Sequence, residues 1–286
     1  MIDEHVIEAI GMTRIVIQNG NVVKIEEPKL HSCPLAKQFA TPVDPITKDS
    51  IKLNISDRIN RFGMCTKNRM ILSKDNFVLF GASELMSSGL RSGRLDGVVI
   101  ACDGAGTVVT NSPEMTQGIG GRMSGLVSTT PYKEVIQNIE QNGGFVISNN
   151  GLIDPIAGLN KAKELGWTNV AVTITGQQHE LAEKIRSDFP NTIIIVVHTS
   201  SISSLENASR ITKVSDLVYA CASKYIRQVA KSTALIQGGI SIPIFATSKK
   251  GKMLIIDRLI ETNQQILVKS TNIPDINSNS SPEPLI

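Results

Sequence analysis

The stretch IIIVVHTS, residues 193–200, decides the fold class. An unbroken branched aliphatic run has no polar face, so a strand built from Ile193 to Val197 has to be covered on both sides, as in a parallel sheet. A strand with one wet face would alternate instead. Short runs of this kind lie at Gly97 to Ala101, Phe145 to Ser148, Val170 to Ile174, Ile193 to His198, Leu217 to Ala220 and Ile242 to Ala246. Helix-like segments separate them at Pro131 to Gln141, Pro155 to Leu165, His179 to Phe189, Ser203 to Val214, Ser223 to Lys231 and Lys249 to Asn263. The alternation predicts an α/β fold over residues 96–268, with a Rossmann-like, mostly parallel, doubly wound sheet.

Toward the start of the chain, residues 1–95 read as a smaller β-hairpin and helical region. Arg14 to Gln18 and Val22 to Ile25 flank Asn19-Gly20, the residue pair favoured in type I′ hairpin turns. Ile51, Ile55 and Ile59 share one helical face within Thr47 to Phe62, and Gly63 ends that helix. Residues 269–286 are rich in Asn, Ser and Pro and read as a disordered tail.

Composition excludes several classes. With 41% hydrophobic residues, the 286-residue chain has enough apolar material for a real core and is no disordered protein. A net charge of +3, evenly scattered, and 4% aromatics argue against a nucleic-acid partner. No apolar run is long enough to cross a bilayer, and Met-Ile-Asp-Glu-His lacks the basic start of a signal peptide, so a cytoplasmic protein with no membrane partner is expected. The four cysteines are spread along the chain, unlike those of a secreted disulfide scaffold.

Ligands of open parallel sheets bind beyond the carboxyl ends of the strands. There the runs deliver Cys102-Asp103, His198 and Cys221, and these are the catalytic candidates. Cys221 stands where a strand meets the next helix, a place that favours a thiolate, with Lys224 and Arg227 adding positive charge. The plainer reading is a small buried core thiol. Gly104, Gly106 and Thr107 form a loop whose N–H groups are suited to cradle a phosphate or carboxylate. Val109 occupies the place of the third glycine in G-x-G-x-x-G, so this is no dinucleotide fingerprint. Gly120, Gly121 and Arg122 make a second anion-binding candidate, the arginine supplying a bidentate fork. Cys33, Cys65, Cys102 and Cys221 match the ligand count of an iron–sulfur cluster or another metal, although no C-x-x-C pair occurs. His5, near the start of the chain, reads as unremarkable. No nucleophile elbow, H-E-x-x-H or kinase signature is present.

Six blocks taken together, His31–Leu35 (HSCPL), Phe62–Thr66 (FGMCT), Cys102–Val109 (CDGAGTVV), Gly118–Gly125 (GIGGRMSG), Val127–Pro131 (VSTTP) and Ala220–Arg227 (ACASKYIR), resemble the methanogenesis marker protein 8 family, a domain of unknown function. The resemblance runs from His5 to Ile260. It implies an anaerobic archaeal cytoplasm, partnership with methanogenesis enzymes and functional cysteines, and it implies no substrate. Two readings follow. In the first, the chain is an enzyme acting on a cofactor-related metabolite, or an accessory that assembles a metal or coenzyme centre, with its site at the strand ends. In the second, it is a non-catalytic module that binds a small anionic ligand on its two glycine loops.

Overall fold

The computed structural model describes residues 3–123, 125–267, 273 and 281–286. In chain order the elements are β1 (Glu4–Ala9), β2 (Thr13–Gln18), β3 (Asn21–Ile25), α1 (Lys48–Phe62), α2 (Ala82–Arg91), β4 (Gly97–Cys102), β5 (Gly106–Thr110), α3 (Pro113–Gly120), β6 (Gly125–Thr129), α4 (Lys133–Gln141) and β7 (Phe145–Val146). They continue with α5 (Pro155–Glu164), β8 (Val170–Thr175), α6 (His179–Asp188), β9 (Ile193–Val197), α7 (Leu205–Val214), β10 (Leu217–Tyr219), α8 (Lys224–Thr233), β11 (Ile236–Gly238), β12 (Ile244–Ala246) and α9 (Lys249–Glu261).

The larger sheet has the order β11-β12-β10-β9-β8-β4-β5-β7. The aliphatic run of β9 does what its composition demands. Ile193 and Ile195 face a core built with Leu85 of α2, Ile119 of α3, Ile139 of α4 and Leu254 of α9. Ile194 and Val196 face the opposite core, with Leu159 of α5, Ile185 of α6, Ile211 of α7 and Ile226 of α8. Helices therefore cover both faces, and the architecture is a mixed α/β sandwich of three layers.

The expected mostly parallel sheet is corrected to a mixed one. Only β4, β8, β9 and β10 are mutually parallel. The pairs β4–β5, β5–β7, β10–β12 and β11–β12 are antiparallel, including the strands expected at Phe145 and Ile242. The cause is local. Gly104 and Gly106, with φ of 79° and 84°, turn the chain straight back after β4, so β5 returns as an antiparallel hairpin partner. The parallel strands also follow one another in chain order, so their order never reverses within the quartet.

The smaller sheet has the order β3-β2-β1-β6. Its β2–β3 turn is the expected one, with Asn19 and Gly20 at φ of 48° and 71°. Helix α1 carries Ile51 and Ile55 onto Ile7, Ile15 and Ile17. The Thr47 side chain accepts from the Ser50 N–H, and Gly63 closes the helix in the left-handed conformation. The division drawn at residue 95 is crossed both ways, because α2 joins the core of the larger sheet while β6 pairs with β1.

Of the expected tail, residues 269–272 and 274–280 lie outside the described residues. Its last six residues pair with the body of the chain. Glu283 donates to Ser32 O at 3.1 Å, and Ile286 donates to Ala222 O at 2.9 Å while accepting from the Lys224 N–H at 2.9 Å. Among the described residues no helix is long and apolar enough to cross a membrane.

Candidate functional site

Adjacent strands β9 and β10 end in a pair of residues that share an unusual backbone. His198 and Cys221 have φ of 51° and 44°. Left-handed backbone is costly for residues with a Cβ, by about 1–3 kcal/mol where the surroundings have to enforce it, and such residues cluster at functional sites. Here the two loops are stitched together. Thr199 donates its hydroxyl proton to Tyr219 O at 2.5 Å, and Ser200 Oγ accepts from the Ala222 N–H at 3.1 Å.

The Cys221 sulfur lies in this seam. It lies beside the His198–Thr199 backbone, with Arg227 and Cys33 nearby. Arg227 also donates from Nη2 to Cys221 O at 2.8 Å. Burial is the dominant influence and raises the thiol above its ordinary value of 9.0, while that backbone and Arg227 pull it down. The resting group is therefore a neutral thiol, which corrects the expected thiolate. The expected donor was the start of α8, but its N–H groups are occupied: Lys224 N–H goes to Ile286 O at 2.9 Å and Ile226 N–H to Ser223 Oγ at 3.3 Å. Lys224 itself is exposed and lies over the Tyr225 ring. The half-buried His198 ring has Nδ1 3.7 Å from Glu8 Oε1.

Cys102 and Asp103 do not join this centre. They end β4, three strand steps from β10 in the sheet order, which amounts to about 14 Å. Asp103 is fully buried and paired through Oδ1 with Arg69 Nε at 2.8 Å, and its Oδ2 accepts from the Cys65 N–H at 2.5 Å. Arg69 also donates to the carbonyls of Met70, Gly118 and Ile119. Cys102 donates its S–H to Asp103 O at 3.3 Å, and burial drives its thiol far upward. These groups form a sealed, internally satisfied network, and the single convergent site expected from the strand ends separates into two centres.

The glycine loops are also placed differently from the expectation. The Gly104 N–H donates to Thr129 Oγ1 at 2.7 Å and the Thr107 N–H to Leu152 O at 3.0 Å. Residues 103–107 are all buried, so the loop is a packed hairpin turn, not an open cradle. Gly120 ends α3 and Gly121 caps it. Gly118 lets α3 lie directly on the Ile71–Leu72 backbone, where a Cβ would meet Ile71 O at 2.2 Å. Arg122 is the exception in this stretch. It is 7% exposed, its guanidinium lies 3.9 Å from the Phe62 ring centroid, and Nη2 reaches Ser73 Oγ at 3.1 Å and Asp75 at 3.3 Å. Its Nε and Nη1 are buried without acceptors.

The cysteines do not form a ligand set. Cys33 neighbours Cys221, Cys65 neighbours Cys102, and among the described residues no group of three or more His, Cys, Asp or Glu side chains is arranged to hold a metal ion. Residues missed in the sequence include Arg69, the partner of Asp103, and Thr199, whose hydroxyl ties the two loops together by donating to Tyr219 O. Only their closeness to Cys65 and His198 in sequence hinted at them. His5, taken for an ordinary residue, is fully buried. A 620 Å³ cavity along β7, lined by Glu140, Phe145, Lys161 and Glu164, contains none of the candidates.

Comparison with known proteins follows the same boundaries. The family described as "Uncharacterized protein conserved in archaea (DUF2099)" matches residues 5–260. An uncharacterized protein of Methanocaldococcus jannaschii is 40% identical over 285 residues, spanning 99% of this chain and 100% of its own length. No solved structure matches.

Proposed function

The chain belongs to this conserved archaeal family, and on that premise we propose that it carries out thiol-dependent chemistry on a small cofactor-related metabolite, with Cys221 as the reacting group. One observation carries the reading: His198 and Cys221, left-handed at neighbouring strand ends, set the Cys221 sulfur against the His198–Thr199 backbone and beside Arg227. Those groups stabilise a thiolate as it forms, which is the charge a reacting sulfur develops. Asp103 and Cys102 take no part in the chemistry in this reading. They fix the base of the β4–β5 hairpin. The block resemblance at His31–Leu35 and Ala220–Arg227 supports methanogenesis as the setting, and it includes Cys33 and Cys221. The parallel strands β8, β9 and β10 supply the Rossmann-like part of the scaffold.

The test is site-resolved alkylation of the native protein with iodoacetamide under anaerobic conditions, read by mass spectrometry. Cys221 is expected to react first, with Cys65 and Cys102 protected until the protein unfolds. Equal reaction at Cys102 and Cys221 would contradict the assignment.

A second reading, binding of a small anion without chemistry, is favoured by the two unpaired donors of Arg122. Buried donors left without acceptors cost about 1–3 kcal/mol, which an anion would recover. Inorganic phosphate should then raise the melting temperature, with the rise surviving Cys221→Ser and disappearing in Arg122→Ala. A rise in Arg122→Ala as large as in the wild type would remove this reading.

A further inference from the structure

A second group of titratable side chains gathers around His5, away from the thiol centre. His5 lies on β1, between β2 and β6, opposite Ile17 and Thr129. A buried imidazole needs a partner at each nitrogen. Nδ1 lies 2.6 Å from Thr129 Oγ1, a hydroxyl that already accepts the Gly104 N–H at 2.7 Å. The hydroxyl's own proton therefore points to Nδ1, since its other acceptor, Thr130 O, is 3.4 Å away. That assigns the ring proton to Nε2. Nε2 faces Tyr132 Oη at 3.1 Å and Asp3 Oδ1 at 2.9 Å. Tyr132 donates to Asp3 Oδ2. Burial holds His5 below its ordinary 6.5, and burial with Asp3 pushes Tyr132 up, so both are neutral near pH 7.

This array forms part of the wall of a 520 Å³ cavity between the β2–β3 turn and the end of α1. Asp3 and Tyr132 line it together with Arg61, Lys67, Asn68 and Asn19. The cations favour an anionic group, and the amides supply further hydrogen bonds. Asp3 Oδ1, although close to Nε2, has no aligned hydrogen bond, so a buried carboxylate oxygen is left wanting a donor. A phosphate offers it at most a P–OH, whose proton is easily lost. A hydroxyl next to the phosphate supplies the donor.

We propose that this cavity is a binding site for a small metabolite that carries a hydroxyl beside a phosphate or carboxylate. Arg61 and Lys67 hold the anion, Asp3 accepts from the hydroxyl, and Tyr132 with His5 fixes the Asp3 carboxylate. The site shares no residue with the Cys221 centre and stands or falls separately from it.

Titration calorimetry with glycerol 3-phosphate and with inorganic phosphate tests the assignment. The full chain is expected to bind glycerol 3-phosphate about tenfold more tightly than phosphate. The double variant Arg61→Ala, Lys67→Ala changes exposed side chains only, so it should fold normally and bind both about tenfold more weakly. Asp3→Asn should abolish the preference for glycerol 3-phosphate, and Tyr132→Phe should reduce it. No binding of either probe, or unaltered binding in the double variant, overturns the proposal. Binding that survives the double variant and vanishes in Arg122→Ala belongs to the Arg122 site and overturns it as well.

Discussion

The two cysteine neighbourhoods are built from similar parts toward opposite ends. Around Cys102, every strong donor and acceptor nearby is spent on the protein: Asp103 on Arg69 and the Cys65 N–H, Arg69 on three carbonyls, and the thiol on Asp103 O. Around Cys221, the His198–Thr199 backbone and the Arg227 guanidinium, itself tied to Cys221 O and Ser241 O, favour the ionised form of a sulfur that burial holds neutral. Position at a strand end is thus not sufficient to make a reactive thiol. What differs is whether the surrounding polar groups are already matched to one another.

The largest test of this contrast is Asp103→Ala. It leaves Arg69 buried without its counter-charge, which costs about 3–5 kcal/mol, a large share of a typical domain's stability. Urea denaturation should show this loss, and a loss below about 1 kcal/mol would mean that the network is not sealed. Cys102→Ser comes next. A hydroxyl in place of a core thiol should cost about 1–3 kcal/mol, whereas Cys221→Ser should stay within about 1 kcal/mol, because its pocket already offers hydrogen-bond donors.

A smaller effect separates the buried His5 array from both centres. His5 is held below its ordinary 6.5, so in the window beneath 6.5 the unfolded chain takes up a proton that the folded protein refuses. Stability therefore rises with pH across that window and falls on acidification. A His5→Gln variant, less stable overall, should show a flatter stability curve between pH 5 and 7 by calorimetry. An unchanged slope would mean that the ring is not buried in solution. The smallest effect concerns Ile286, which packs beside Ala222 and Cys33. Deleting residues 281–286 should speed alkylation of Cys221 severalfold and leave Cys102 untouched. Equal rates before and after deletion would show that this segment does not shield the thiol.

What could be read in the sequence was local. The Asn19-Gly20 turn, the stop at Gly63 and the two-sided burial of Ile193–Val197 each depend on neighbours in the chain, and the structure keeps all three. Helices α2 and α3 escaped notice because each buries only two large apolar residues in the core, Leu85 with Met86 and Met115 with Ile119, and much of the rest of their buried surface is small or polar, as at Ser83, Ser87, Ser88, Gly89 and Gly118. The β1–β6 pairing links Glu8 to Gly125, far apart in sequence, with no local signal. His5 was opaque for the same reason: its partners, Thr129 and Tyr132, lie more than 120 residues away. The strand-end rule found His198 and Cys221, but it also drew in Cys102 and Asp103, because it places residues on an edge without saying which of them meet.

The most direct test of the central contrast is the pH dependence of Cys221 alkylation in the wild type and in Arg227→Gln. The wild-type rate should climb through a midpoint above 9.0, since burial outweighs the donors, and loss of the Arg227 charge should move that midpoint higher still. A midpoint at or below 9.0, or identical profiles in the two proteins, would contradict a neutral thiol poised among donors and would return Cys221 to the core.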